Sequence, residues 1–422
     1  MSGEAVEVVI DRLGASGDGI AEHDRQRVFV PDTLPGERAL VRLGPQRGEG
    51  RVASVINRLA DAATRIAPAC RHFERCGGCA LQHLAPAAYA AWKRGLVVEA
   101  LSRRGLSPEI GEILVVPPGD RRRAVFSAVG RRGGAVLGFA EAQSHAVVDL
   151  HECPVTAPAL LALLPPLRTT LGSLLGGGER AQAVATVTAT GIDLVLEIDR
   201  DLGLAARESL AQLAEATGLA RLSWRRPGGS TEILAQRREV RVAFDGVPAA
   251  FPPGAFLQAS LAGEAALIAA VLSGVSDAEK ILDLYAGIGT FSLPMSRRAK
   301  VTAIEGDAEA VRTLAASPAA KAGRLTAERR DLARDPPDPR TLDRYDAVVF
   351  DPPRAGARAV AEALAASSVR TAVAVSCSPQ TFARDARTLV DGGYRLLRVT
   401  PVDQFLWSPH VELVALFRRE AS

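Results

Sequence analysis

Cys377 closes a short apolar run. Ala372 to Val375 has the length of a strand, and Ser376-Cys377-Ser378-Pro379 stops it at a residue that cannot continue a central one. The thiol is therefore expected on the loop at a strand's carboxyl end, where open α/β sheets bind ligands and carry chemistry. A lone cysteine is more often a small buried hydrophobe, so the rest of the chemistry decides its meaning. Ile281 to Tyr285 reads as another strand and runs into Ala286-Gly287-Ile288-Gly289-Thr290-Phe291, whose glycines let a ligand approach the backbone before a helix. The third glycine of a dinucleotide loop is absent, Ser292 standing there, and Asp283 lies just upstream. That form suits S-adenosylmethionine better than NAD. The next strand, Lys300 to Ile304, ends in Glu305, 22 residues after Asp283, where a carboxylate accepts from both ribose hydroxyls. After a third strand, Asp331 could contact adenine. A fourth, Asp346 to Phe350, runs into Asp351-Pro352-Pro353-Arg354, whose prolines fix the loop with Asp351 facing the cleft. Glu412 stands beside the apolar strand Leu413 to Phe417, and carboxylates are rarely buried without a task.

A second group of thiols lies far upstream. Cys70, Cys76 and Cys79 follow the pattern Cys-x5-Cys-x2-Cys around Gly77-Gly78, and Cys153 follows after 73 intervening residues. Three thiols on so tight a loop suit a metal centre lacking one ligand, with Cys153 the candidate fourth. Both a four-cysteine zinc site and an iron-sulfur cluster are compatible with that donor set.

The elements that must position these groups divide the chain into three. At 422 residues it has room for two or three domains, and its 47% hydrophobic and 23% charged residues are ordinary for a globular protein. Short strands separated by Gly14, Gly17, Gly19, Pro31 and Pro35-Gly36 predict a small β-barrel over 1–59. Residues 60–245 form a central α+β domain carrying the cysteine group, with Leu160 to Leu175 helical and two strands around Thr190-Gly191. Residues 246–422 form an α/β domain. Arg103-Arg104, Arg121-Arg122-Arg123 and Arg131-Arg132, interleaved with Trp92 and Phe126, could follow a phosphate backbone and stack a base. No positively charged segment with an apolar core opens the chain, and no apolar run approaches the roughly 20 residues a bilayer requires. A cytoplasmic protein without membrane contact is expected, and no obligatory protein partner is evident.

Taken in order, Gln258, the Asp-Leu-Tyr-Ala-Gly-Ile-Gly-Thr-Phe loop, Asp351-Pro-Pro-Arg, Ser376-Cys377-Ser378-Pro379 with Ala383-Arg384-Asp385, and His410-Val411-Glu412 resemble the RNA 5-methyluridine methyltransferases. The resemblance spans the chain, because the iron-sulfur members also carry a TRAM barrel and a Cys-x5-Cys-x2-Cys group with a distant fourth cysteine. Ala286, Thr290, Ser378 and Leu406 depart from the family's usual residues. The resemblance implies a Rossmann-like class I methyltransferase domain, with Cys377 as nucleophile and Glu412 as base. It implies S-adenosylmethionine held by Gln258, Tyr285, Thr290, Glu305, Asp331 and Asp351, and a 4Fe-4S cluster on Cys70, Cys76, Cys79 and Cys153. The substrate implied is RNA, with 23S ribosomal RNA favoured and transfer RNA the alternative. An inactive iron-sulfur RNA-binding protein would be expected to lack the nucleophile or the base. A 5-methylcytosine enzyme would carry a cysteine in the motif filled here by Asp351-Pro352-Pro353.

Overall fold

The computed structural model describes residues 4–419. Six strands between Ala5 and Ala60 make the amino-terminal barrel. Their alternating valines and alanines, Val6, Val8, Ala21, Val28, Val30, Ala39 and Val41, point inward and form its core. A seven-stranded sheet follows, in the spatial order Val147–Asp149, Gly134–Ala140, Arg123–Arg131, Arg180–Thr188, Gly191–Ile198, Arg221–Arg225, Glu232–Gln236. Helix Pro158–Leu174 runs through Pro165 and Pro166 without ending. Its leucine face, Leu160, Leu163, Leu164, Leu167 and Leu171, is buried on the sheet and outweighs the two missing N–H donors.

The carboxyl-terminal sheet carries the chemistry. Its order is Leu325–Arg329, Lys300–Glu305, Lys280–Leu284, Ala347–Phe350, Thr371–Ser376, Glu412–Arg419, Tyr394–Asp403. The first five are parallel and Glu412–Arg419 is antiparallel to its neighbours. These strands read as unbroken apolar runs because both faces are covered. Val349, Val373 and Val375 pack under helix Leu261–Gly274, while Val348, Ala372 and Ala374 face helices Arg358–Ala365 and Pro379–Asp391.

Residues 86–116, expected within the central domain, pack instead on this last sheet. Helix Pro86–Ser102 lies against Pro379–Asp391, and the two-residue strands Glu109–Ile110 and Leu114–Val115 pair in parallel with Tyr394–Asp403. The reason is the helix's buried face, Val97, Ala100 and Leu101, which shares a core with Val399 and Phe417. Arg121-Arg122-Arg123 is likewise no surface patch. Arg122 is buried in an ion pair with Glu264, and Phe126 is fully buried. Among the described residues no helix is long and apolar enough to cross a membrane.

Candidate active site at the carboxyl ends of the sheet

Strand register assembles the site. Leu284 pairs with both Ile304 and Phe350, and Phe350 pairs with Ala374, so Tyr285, Glu305 and Asp351 leave the sheet at one end. Strand order reverses between Lys280–Leu284 and Ala347–Phe350, and that reversal opens a crevice. Ser376 pairs with Leu413 in the antiparallel ladder, which sets Cys377 next to Glu412. Asp385 holds the loop after Asp351 in place, its Oδ2 accepting from the Ala357 N–H at 2.8 Å.

The glycine loop has the form a ligand needs. Tyr285 adopts φ +62°, a strained conformation for a bulky side chain, and Gly287 follows at φ +55°. A Cβ on Gly287 would meet nothing within 4 Å, so the backbone there faces open space. Its N–H donates to Glu305 Oε2 at 2.9 Å, while the Asp307 N–H donates to Oε1 at 2.9 Å. Glu305 is thus fixed in orientation, with lone pairs left on both oxygens. The helix expected after the loop is a single turn, Ser292–Met295. Thr290 is buried beside it, and Asp283 is fully buried with Oδ2 bonded to Ser292 and Oδ1 unpartnered. Asp331 is exposed and accepts from the Ala333 N–H, yet lies near enough to act on the Tyr285 hydroxyl.

Charge is crowded at this end. Burial pushes Asp283 and Asp351 up to about 7. Burial, with help from Asp351, pushes Glu412 up to about 8, against the Gln404 hydrogen bond and the charges of Arg354 and Lys93. Cys377 is pushed up to about 11, first by burial and then by Glu412 and Asp351. A positive charge brought beside these three carboxyls and the thiol would favour their ionised forms.

The segment from Asp403 to Glu412 is tied from outside the sheet. Lys93, with no exposed surface, donates to Asp403 Oδ1 at 2.6 Å, to the Phe405 carbonyl at 3.3 Å, and to the His410 carbonyl. Tyr89, one helical turn earlier, donates to Asp403 Oδ2 at 2.5 Å and accepts from the Trp407 N–H at 2.7 Å. Neither residue has a role that its place in the sequence makes plain. The available signal is a lysine, one of four in an arginine-rich chain, four residues after a tyrosine. Gln404 carries no local signal of its own.

Cys70, Cys76, Cys79 and Cys153 come together around one small cavity that Arg121, Phe139 and Leu150 also line. All are free thiols, and burial raises Cys79 to about 12. Among the described residues no three thiol, imidazole or carboxylate groups gather as a single metal ion requires. The Ala80 and Leu81 N–H groups, just after Cys79, donate to the Trp407 carbonyl at 2.8 and 3.1 Å, and Arg121 lies 5.7 Å over the Phe405 ring. The cysteine loop therefore touches the segment that leads to Glu412.

Comparison with known proteins agrees with this architecture. Residues 1–43 match the TRAM domain. An RNA methyltransferase of Rhizobium meliloti is 42% identical, covering 98% of this chain and 99% of its own. The 23S rRNA (uracil(1939)-C(5))-methyltransferase RlmD of Cronobacter sakazakii is 34% identical, covering 99% of this chain and 97% of its own. The crystal structure of the Pyrococcus abyssi tRNA (uracil-54, C5)-methyltransferase with S-adenosyl-L-homocysteine has the same fold, with a TM-score of 0.76 at 24% identity, over 97% of this chain and 99% of its own. With an amino-terminal TRAM barrel, a Rossmann-like sheet and relatives alike from end to end, the chain belongs to the RNA 5-methyluridine methyltransferase family.

Proposed function

We propose that this enzyme methylates carbon 5 of a uridine in 23S ribosomal RNA. The observation that carries the reading is the strand register that sets Cys377 next to Glu412, at the sheet end shared by Glu305 and Asp351. The end-to-end likeness to a ribosomal RNA enzyme supports the substrate, with transfer RNA the alternative.

Gln258, Tyr285, Thr290, Glu305, Asp331 and Asp351 would hold S-adenosylmethionine. The open face of Gly287 and the raised carboxyl of Asp351, which a cationic sulfur would help to ionise, fit it. When bound, it supplies a methyl group on a cationic sulfur. The Cys377 thiolate adds to carbon 6 of uracil and makes carbon 5 an enolate carbon, which takes the methyl group. Glu412 then removes the proton from carbon 5, and the electron pair returns to the ring and expels the thiolate. The products are 5-methyluridine, S-adenosylhomocysteine and a proton. A stacked uridine does not admit this attack, so the target base must be unpaired or flipped out.

Cys70, Cys76, Cys79 and Cys153 would hold a 4Fe-4S cluster. Four thiols lining one cavity suit such a centre, and the likeness of the Cys-x5-Cys-x2-Cys group with its distant fourth cysteine to the iron-sulfur members favours it over zinc. Methyl transfer is redox-neutral, so the cluster would be structural or RNA-binding; in the structural role it would stiffen the loop whose Ala80 and Leu81 N–H groups hold the Trp407 carbonyl.

The test is nucleoside mass spectrometry after incubation with S-adenosylmethionine and either 23S ribosomal RNA or transfer RNA. Wild type is expected to form 5-methyluridine in 23S RNA, Cys377→Ala to form none, and Glu412→Gln to stall as a protein–RNA adduct that survives denaturing gels. Turnover by Cys377→Ala would overturn the mechanism. Methylation of transfer RNA alone would overturn the substrate.

A further inference from the structure

Between the proposed base and the cofactor side of the crevice lies one buried amide, Gln404, 2% exposed. Its Oε1 accepts from the Ala259 N–H at 3.0 Å. A backbone N–H can only donate, so the amide's orientation is decided: Nε2 faces the other way. One Nε2 hydrogen goes to Gln258 Oε1 at 2.6 Å. That makes Gln258 Oε1 an acceptor and turns its own Nε2 to Asp351 Oδ2, 3.3 Å away. Strand pairing sets Glu412 opposite Val402, two residues before Gln404, so the amide lies beside the Glu412 carboxyl and favours its ionised form. The polarity of the chain from Gln404 through Gln258 to Asp351 is set by one main-chain donor.

The frame around this amide is firm. Arg122 Nε donates to the Gln258 carbonyl at 3.2 Å and pairs with Glu264 on helix Leu261–Gly274. The same helix presents Gly263, where a Cβ would come within 2.7 Å of Gln404 Cβ. Asp403, the preceding residue, is held by Lys93 and Tyr89. Gln404 has no room to turn over.

We infer that Gln404 is a positioning residue for methyl transfer: it aims Glu412 at the base while keeping the Gln258 amide turned toward Asp351. The two halves of the site are thereby set by one side chain. This rests on the proposed role of Glu412 as base. The groups acting on Glu412 are Asp351, which disfavours its ionisation together with burial, and Gln404, Arg354 and Lys93, which favour it; Cys377 lies on the neighbouring strand end. Loss of the Gln404 donor raises the Glu412 pKa, so the ionised base persists only at higher pH.

The experiment compares Gln404→Met, close in size and unable to donate, with Gln404→Glu, which keeps the acceptor for Ala259 and loses both donors. Rates with 23S RNA are measured across pH, beside cofactor affinity and melting temperature. The acid limb of the rate profile is expected to move up in Met and further in Glu, by on the order of one pH unit. At a fixed pH below the limb the rate falls about tenfold, and S-adenosylmethionine binds more weakly. A lowered melting temperature with an unmoved acid limb in both variants would overturn the inference and leave Gln404 a packing residue. Glu412→Gln run in parallel keeps the two readings apart, because normal turnover in that variant sinks the base assignment itself, whatever Gln404 does.

Discussion

Cys377 and Asp351 pose a conflict that a positive charge resolves. A thiol raised to about 11 is almost entirely protonated at neutral pH, and two of its causes are the neighbouring Glu412 and Asp351. With the proposed roles of Asp351 and Cys377, a sulfonium beside Asp351 would oppose that carboxylate's effect and lower the thiol, so that the nucleophile is readied when the methyl donor is present. Alkylation of Cys377 by iodoacetamide, followed across pH by peptide mass spectrometry, is expected to shift to lower pH with S-adenosylmethionine. S-adenosylhomocysteine, which lacks the sulfonium charge, should shift it less. Asp351→Asn should lower the thiol without any ligand while weakening cofactor binding. The same carboxylate bears on stability. Its folded pKa is raised to about 7 from 3.8, so the folded state holds the proton more tightly. Stability from this group is present below about pH 4 and lost as pH rises through about 7. Asp351→Asn is therefore expected to melt higher than wild type at pH 8 without ligand, and a difference absent at pH 8 would show the carboxyl to be better solvated than its burial implies.

At the level of elements, helix Pro86–Ser102 and the last two strands depend on one another. The helix delivers Tyr89 and Lys93 from one face to the loop between Tyr394–Asp403 and Glu412–Arg419. Lys93→Met leaves the Asp403 carboxylate buried without its cation, which costs about 3 to 5 kcal/mol for a pair of this kind. Urea denaturation is expected to show that loss, with the double variant Lys93→Met/Asp403→Asn recovering much of it. If the single and double variants are equally unstable, the pair is not the reason the helix docks there. Neither the helix nor its partner was read from the sequence, because Asp403 lies 310 residues from Lys93 and no local pattern links them.

The whole molecule is stacked in series. Leu34 of the barrel shares a small core with Leu81 and Leu84 of the cysteine loop and Leu406 of the segment before Glu412. Glu37 of the barrel is fully buried and paired with Arg65, so the barrel is anchored to the central part of the chain. Between the barrel and the central part runs a groove lined by Arg42, Arg51 and Arg58, with Asp32, Glu74 and Gln143 also on its wall. Arg42 and Arg58 are exposed. Arg42→Glu/Arg58→Glu is expected to weaken RNA binding and flatten its salt dependence, the slope falling by about 1 for each phosphate that is no longer neutralised. Cofactor affinity should not change, which filter binding and calorimetry can separate. Equal RNA affinity in the variant would remove the barrel groove from the RNA path.

The amino-acid sequence alone determined the local facts: the strands, the glycine turn after Leu284, the proline stops after Asp351 and Cys377, and the barrel's alternation. These arise from φ restriction, missing donors and side-chain periodicity, all carried by a few adjacent residues. The family, too, was readable from motifs in order. Tertiary structure decided what depends on distant partners. It buried Arg122 against Glu264 where three adjacent arginines suggested a surface. It carried 86–116 to the edge of the last sheet, and gave Tyr89, Lys93 and Gln404 their place around Glu412. Whether a polar side chain faces water or completes a buried hydrogen bond is settled by groups hundreds of residues away, and that information has no local signature in the chain.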